Sequence, residues 1–445
     1  MEPPRTQEGI LERIFKLKEK NTDVKTELIA GLTTFVALAY IIFVNPNILA
    51  DAGIPKEAAI ASTIWATATA SLVMGAWANM PIAVAPGMGL NAFFAYYVVG
   101  VLHLHWTVAL GAVFFSGILF LILTLGGIRQ AIIKAVPMNL KCAIGVGIGL
   151  FIAFIGLKNA GIIVSDKATF VSVGHLTQAE PLLACIGIIF TAALMARGVK
   201  GAMLIGIMAV TALGMAFGAV PVPKGIGDIL SFQLPSMSAT FMQMDVRGAW
   251  EYGLFSIIFT FTIVELFDNM GTLMGLTRKA KLMDDKGEIE NIDKALTTDA
   301  MGTIASAAFG TSTVTSYVES AAGIAEGGRT GLTAIVVAAL FVVSLIFAPL
   351  IGIVPGFATA PALILVGALM MAEISSVSFV DFTDGLPAFL TIIMMPLTFS
   401  IANGFAFGFI SYTFLKVLTG KGKDVSWIMW AVSIAFLVNF YMRLH

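Results

Sequence analysis

Charge is what this chain has least of. Asp, Glu, Lys and Arg make up 12% of its 445 residues, about half the share of an average soluble protein. Between Ala58 and Ile128 there is not one of them. That excludes a soluble domain of this length. With hydrophobic residues at 58% and a mean hydropathy of +0.93, the chain reads as a polytopic helical membrane protein. Its net charge of −1 offers no basic surface, so no nucleic-acid partner is expected. Cysteine is scarce too. Cys142 and Cys185 both fall in or near apolar segments and read as core thiols, not as a disulfide or metal pair. The four histidines form no metal-ligand spacing, and His103 and His105 flank Leu104 in a predicted loop. No metal or cofactor is expected. Neither an HExxH nor a GxSxG pattern appears, so an intramembrane enzyme is disfavoured. The polar N-terminus shows no signal-peptide pattern.

The few charges inside apolar sequence therefore carry the most information. The run that opens near Glu251 and closes before Arg278 contains V-E-L-F-D-N-M-G-T at 264–272. Glu265, Asp268 and Thr272 follow one another at spacings of three and four, which places them on one helix face. An ionised carboxylate facing lipid costs several kcal/mol, so such residues face a bundle interior or an aqueous cavity. A structural acid satisfied by neighbouring helices would meet that demand, and so would a substrate or proton site. Glu319, in G-T-S-T-V-T-S-Y-V-E-S-A-A-G at 310–323, is a third acid in membrane-embedded sequence. That segment is too polar for an ordinary span, and its Ser and Thr suit a polar cavity.

A second irregular stretch lies at 81–102, where Pro86, Gly87 and Gly89 interrupt an apolar run. Non-helical backbone at membrane depth persists only where protein buries it or it lines a cavity. The pattern predicts a half-helix beginning near Asn91, and a matching one near Thr315. Ordinary spans are expected at 27–50, 57–80, 106–127, 140–158, 181–196, 201–219, 295–310, 330–352 and 356–372. Two shorter spans within 385–415 meet at I-A-N-G. Residues 159–180 read as a polar loop, and 425–442 as a leftover apolar segment that either spans or lies in the plane. Ile10, Ile14, Phe15 and Leu17 give the basic N-terminus an amphipathic spacing, which predicts a helix on the membrane surface. Its cations Arg5, Arg13, Lys16, Lys18, Lys20 and Lys25 argue for a cytoplasmic start. Basic residues at 129–141, 197–200, 278–294 and 329 then fall on the same side.

Each half thus has an irregular, small-residue third element, the outline of an inverted repeat. The expected fold is an all-α polytopic membrane protein, a 7+7 inverted-repeat transporter with discontinuous third and tenth spans. Its parts are a cytoplasmic segment at 1–26, a first repeat at 27–220 (core part 27–127, gate part 128–220) and a connector at 221–248. A second repeat follows at 249–420 (core part 249–352, gate part 353–420), then the C-terminal segment at 421–445.

Six blocks in order resemble one family. They are T-E-L-I-A-G-L-T-T-F-V-A-L-A-Y at 26–40, A-P-G-M-G-L-N-A at 85–92, the 264–272 stretch, Y-V-E-S-A-A-G at 317–323, G-G-R-T-G-L-T-A at 327–334 and A-T-A-P-A-L at 358–363. Together they are similar to the AzgA-like adenine/guanine/hypoxanthine permeases, a branch of the nucleobase–cation symporter-2 / nucleobase–ascorbate transporter family. The resemblance implies core and gate domains and proton-coupled import of purine bases by elevator-like alternating access. It implies a multi-pass protein of the plasma (inner) membrane. It sets Asp268, Glu319 and Asn91 against the base. Within the branch the third-span and tenth-span motifs look closer to guanine/hypoxanthine carriers, with an adenine or broad purine permease as the alternative. Asn269-Met270 depart from the small hydroxylated residues expected there.

The chemistry suits such a substrate. A carboxylate accepts two N–H bonds of guanine or hypoxanthine in bidentate fashion, and Asn91 can donate or accept. Phe93, Phe94, Phe267 and Tyr317 are candidate stacking partners, and Thr272, Thr315 and Ser316 candidate polar supports. Proton coupling is assigned to Glu265, Glu319 and Asp268, because low dielectric and a second acid favour a carboxyl's protonated form. Sodium would use similar oxygens, so the acids leave both ions open. An anion transporter on the same architecture is disfavoured by acids where it would need Arg or Lys. Homodimer formation is left open, and the lipid bilayer is the expected surroundings.

Overall fold

The computed structural model describes residues 9–127, 132, 135–251, 255–282 and 289–444. Arg5, Arg129, Lys134, Lys286 and the Met270 side chain, which enter the sequence reading, lie outside the described parts. Nine described helices are long and apolar enough to cross a membrane, and four shorter apolar ones accompany them.

The first half runs α1 (Ile10–Phe15), α2 (Val24–Leu38), α3 (Ile41–Asp51), α4 (Lys56–Val73), β1 (Val84–Pro86) and α5 (Met88–Ala92), which widens into a π-helix to Val101. α6 (Trp106–Leu125), α7 (Met138–Asn159), the strands β2 (Ile163–Asp166) and β3 (Phe170–Val173), α8 (Ala179–Ala196) and α9 (Ala202–Ala216) complete it. The second half runs α10 (Val246–Glu251), α11 (Phe255–Lys279), α12 (Ile292–Phe309), β4 (Val314–Ser316), α13 (Ser320–Ala325), α14 (Gly331–Ser344) and α15 (Ala348–Ile353). It ends with α16 (Gly356–Met370), α17 (Phe382–Leu397), α18 (Ile401–Leu418) and α19 (Trp427–Leu444).

Local chemistry sets the ends of these helices. Asp23 caps α2 by accepting from Thr26 N at 2.8 Å, Thr330 caps α14 from Leu332 N at 3.3 Å, and Asp381 caps α17 from Thr383 N at 2.9 Å. Gly310 ends α12 at φ +93°, a backbone conformation that costs glycine nothing.

Two packed groups emerge. In one, α14 lies on α2 and α4, while α12 lies on α4 and α6. In the other, α7 lies on α16 and α17, α17 on α18, and α8 on α9 and α16. α19 runs along α18, with the Thr413 and Ser433 hydroxyls 2.8 Å apart.

Against α4, α11 and α12, the two irregular segments pair. β1 and β4 are antiparallel, with Val84 opposite Ser316, Ala85 opposite Thr315 and Pro86 opposite Val314. Gly87 N donates to Thr313 O and Tyr317 N to Ala83 O, each at 3.0 Å. Each strand gives the other the backbone partners that lipid cannot supply. Pro86 is tolerated because this ladder is two-stranded and therefore all edge. α5 then leaves toward one membrane face and α13 toward the other.

The structure corrects four readings. The third-span helix starts at Met88, so Asn91 is in its first turn, not at its start. The tenth-span helix starts at Ser320, because Val314–Ser316 is strand. Residues 159–180 contain the β2–β3 hairpin. The N-terminal helix is short, and Phe15 and Leu17 bury themselves against Leu332 instead of lipid.

Gly75, in the π-helical turn Met74–Ala78 that continues α4, and Gly331 approach so closely that each carbonyl oxygen occupies the space a Cβ on the other would need. Gly331→Ala is expected to destabilise the protein by about 1–3 kcal/mol through forced separation of α4 and α14. Gly352, with nothing within 4 Å of its Cβ position, is the control. Thermal unfolding in detergent should show a lower midpoint for Gly331→Ala alone.

Candidate functional site

The β1–β4 crossing is held by α11 and α12. Asn269 Oδ1 on α11 accepts the backbone N–H of Ser316 at 2.9 Å. The Ser316 hydroxyl donates toward Asp299 on α12, 3.2 and 3.1 Å from its two carboxylate oxygens. One turn away, the Thr303 hydroxyl donates to Glu265 Oε1 at 2.5 Å. Glu265 and Asn269, four apart, face Asp299 and Thr303, also four apart, along antiparallel helices. All four are fully buried.

Asp268, three residues on, is turned about a sixth of a helix circle from Glu265 and is only half-buried. It stands beside Thr315. Glu319, also half-buried, begins α13, and its Oε1 accepts the Tyr40 hydroxyl at 2.6 Å. Tyr317 donates to Pro86 O, tying the end of β4 to β1. Val318, between Tyr317 and Glu319, is 61% exposed, so the turn that carries Glu319 faces open space.

The structure therefore divides the sequence-predicted residues. Asp268, Thr315, Glu319, Tyr317 and Phe267 gather at the crossing. Phe267 is partly exposed, its ring tilted over Phe405 of α18 at 6.3 Å. Ser316 is committed to Asp299 and Asn269. Thr272 is partly buried one turn beyond Asp268. Glu265 points into the α11–α12 seam, so the single face expected for the two α11 acids is split. Asn91 is fully buried, with Nδ2 donating to Asn45 Oδ1 at 2.5 Å and Oδ1 accepting from Ser312. Asn45 in turn donates to Thr63 at 2.7 Å and Thr311 at 3.0 Å. Asn91 thus belongs to a polar network binding α3, α4 and α5 to the chain before β4. Phe94 is fully buried, and Phe93 packs edge-on to Phe261 at 5.1 Å and stacks on Tyr97 at 5.2 Å.

Sequence reasoning misses Tyr40, Asn45, Asp299 and Thr303. Tyr40 ends the first of the six blocks, but nothing local shows that its hydroxyl reaches Glu319. Asn269 departs from the family pattern, and the structure gives the reason, since its side chain supports β4. Its Nδ2 has no hydrogen-bond partner among the described residues. Cys142 and Cys185 are free thiols, and both are half-buried instead of lying in the core.

Chemically, the crossing presents two carboxylates on half-buried residues, one Tyr-oriented, beside a Thr hydroxyl and an aromatic ring. The described groups acting on these acids include no Lys or Arg. Such an arrangement accepts N–H donors and repels anions.

Comparison with known proteins gives a consistent result. The permease family model Xan_ur_permease matches residues 25–407. The adenine permease AdeP of Escherichia coli (strain K12) is 44% identical, over 97% of this chain and 96% of its own. The guanine/hypoxanthine permease PbuO of Bacillus subtilis (strain 168) is 41% identical, over 96% of this chain and 100% of its own. Among solved structures, the transmembrane domain of the cyanobacterial bicarbonate transporter BicA matches with a TM-score of 0.66 at 19% identity. That match covers 85% of this chain and 97% of the other. The likeness shows the fold, a seven-plus-seven inverted repeat with core and gate parts.

Proposed function

Since this chain belongs to the permease family, and is a multi-pass membrane transporter rather than an enzyme, we propose that it imports purine nucleobases by proton symport. The observation that carries this reading is the pair of half-buried acids, Asp268 and Glu319, at the β1–β4 crossing with no cation acting on them. A carboxylate accepts the N1–H of guanine or hypoxanthine directly, through charge-assisted bonds. Asp268 is the base contact in this reading, Thr315 supports it, and Phe267 covers the ring face. Tyr40 orients Glu319. The fully buried Glu265 and Asn91 act by holding the seam and the crossing in place. The coupling proton resides on Asp268 or Glu319, which are less enclosed than Glu265.

Guanine and hypoxanthine are the proposed substrates. Adenine, which offers a 6-amino donor beside an N1 acceptor, needs a protonated acid and is the second reading; an adenine permease at 44% identity favours it. Movement of one helix group against the other, elevator fashion, would expose the crossing alternately to the two faces. The basic residues at the N-terminus and in the 278–294 stretch support a cytoplasmic N-terminus in the plasma membrane.

The test is uptake of radiolabelled hypoxanthine and adenine into cells without their own purine carriers, with and without a protonophore. Hypoxanthine uptake that collapses with the protonophore is expected. Adenine uptake alone would move the substrate, and protonophore-insensitive uptake would remove proton symport.

A further inference from the structure

On the membrane face that carries the N-terminus, three stretches distant in sequence enclose a cavity of about 400 Å³. Glu19, Lys20 and Asn21 come from the turns between α1 and α2. Ala280, Lys281 and Leu282 follow α11, and Arg329 lies between α13 and α14. Asn79, at the end of the second span, gathers these elements on one face by donating to Phe15 O and accepting from Gly331 N. The volume falls in the ordinary range for small-molecule sites.

The charge of this cavity is unbalanced. Lys20, Lys281 and Arg329 line it together with one acid, Glu19. Glu19 is taken by Lys16 at 3.2 Å, and Lys20 pairs with Glu290. Lys281 and Arg329 are left with no carboxylate partner among the described residues. Arg329 is held in place by its own turn, since Nη1 donates to Ile324 O at 2.7 Å and to Gly328 O at 2.8 Å. Its Nε and Nη2 groups make no hydrogen bond among the described residues, and neither do the side chains of Asn21 and Lys281. Asn21 and Lys281 are both exposed, each at a left-handed turn with φ +53° and +56°.

Cations gathered around one cavity repel each other, and an anion among them offsets that cost. Phosphate matches the donor set. A guanidinium held in one plane presents its N–H groups to two phosphate oxygens at once, while lysine adds a mobile point charge. The Asn21 amide adds a neutral donor. A neutral purine has no charge to set against these groups. We propose that this cavity binds a phosphate group, supplied by an anionic phospholipid of the adjoining leaflet or by free phosphate. The basic residues Arg13, Lys16, Lys18 and Lys20 draw anionic lipid to the same face. Bound there, the phosphate ties the segment before α2 to the end of α11 and to the α13–α14 turn. Those are the elements that carry Asp268 and Glu319.

The experiment follows the unfolding midpoint of the full chain in a neutral detergent, because a ligand that binds the folded state raises it. One arm titrates inorganic phosphate against chloride at equal ionic strength. The other adds phosphatidylglycerol to the micelles, with phosphatidylcholine as its reference. A saturable rise is expected in one arm or both. A rise with phosphate alone assigns a soluble anion, and a rise with phosphatidylglycerol alone assigns a lipid headgroup; either supports the cavity. Lys281→Gln, at an exposed position, should keep the starting midpoint and raise the half-saturating concentration about tenfold. Lys423→Gln, an exposed lysine beyond α18, is the control and should titrate like wild type. Wild-type protein with no saturable rise in either arm would overturn the proposal, and so would Lys281→Gln titrating like wild type. Equal weakening by Lys423→Gln would overturn it as well, by making the effect one of overall surface charge.

Discussion

Replacing Asp268 by Asn is expected to lower initial purine uptake by about two orders of magnitude at unchanged membrane abundance. The substitution keeps the size of the side chain but removes its charge and one of two acceptor oxygens. Hydrogen bonds to a charged group contribute about 1.5–3 kcal/mol each. Loss of about 3 kcal/mol is roughly a hundredfold, at about 1.4 kcal/mol per factor of ten. Tyr40→Phe provides the scale. It removes only the hydroxyl that holds Glu319 at 2.6 Å, leaves the α2–α3 packing intact, and should cost about tenfold. Initial rates in the same cells, corrected for protein in the membrane, separate the two. Wild-type uptake by Asp268→Asn would make that acid a structural feature of the crossing.

Glu27→Ala should produce the largest loss of stability. Glu27 is fully buried near the start of α2 and reaches the N-terminus of α14. Oε1 accepts from Arg329 N at 2.8 Å and Thr330 N at 3.1 Å; Oε2 accepts from Thr333 N at 3.1 Å and the Thr333 hydroxyl at 2.5 Å. These are the amide groups a helix cannot satisfy by itself, and a carboxylate is the charge its N-terminus favours. Alanine takes the acceptor from the Arg329 and Thr330 N–H groups and leaves Thr333 N with only the 3.3 Å bond to Thr330 O, at about 1–3 kcal/mol for each unsatisfied group. We expect loss of about 3–5 kcal/mol, seen as a large drop in the unfolding midpoint in detergent and in folded protein per cell. Glu27→Gln keeps one acceptor oxygen and should fall between. The KM for purine of whatever Glu27→Ala protein remains folded should match wild type, since Glu27 touches α14 and not the crossing. An altered KM with normal stability would refute this role.

Glu27 and Asp268 also show how far local sequence carries. Glu27 stands in the first of the six blocks, yet nothing near it announces that its partner is Thr333. The acids on α11 stand out through scarcity, because a carboxylate within an apolar run needs a reason wherever it points. Their separation is not legible. A spacing of three in a helix admits both a shared face and two adjacent faces, and the choice depends on what packs alongside. Here Thr303 draws Glu265 into the seam, while Asp268 is left at the crossing.

By itself the sequence determined that the chain spans a membrane many times, because long uncharged runs cannot be solvated by water. It determined that 81–94 and 311–327 are not ordinary spans, because Pro, Gly and hydroxyl-rich segments cannot form uninterrupted lipid-facing helices. Only the tertiary structure decided that these two segments pair as β1 and β4. Their hydrogen bonds join the two halves of the chain, and the need of one segment for partners does not name the other. The tertiary structure also placed Tyr40 on Glu319 and Asn91 in a buried network. Each of these is set by how helices distant in sequence are rotated against one another, and the local pattern of residues does not contain that rotation.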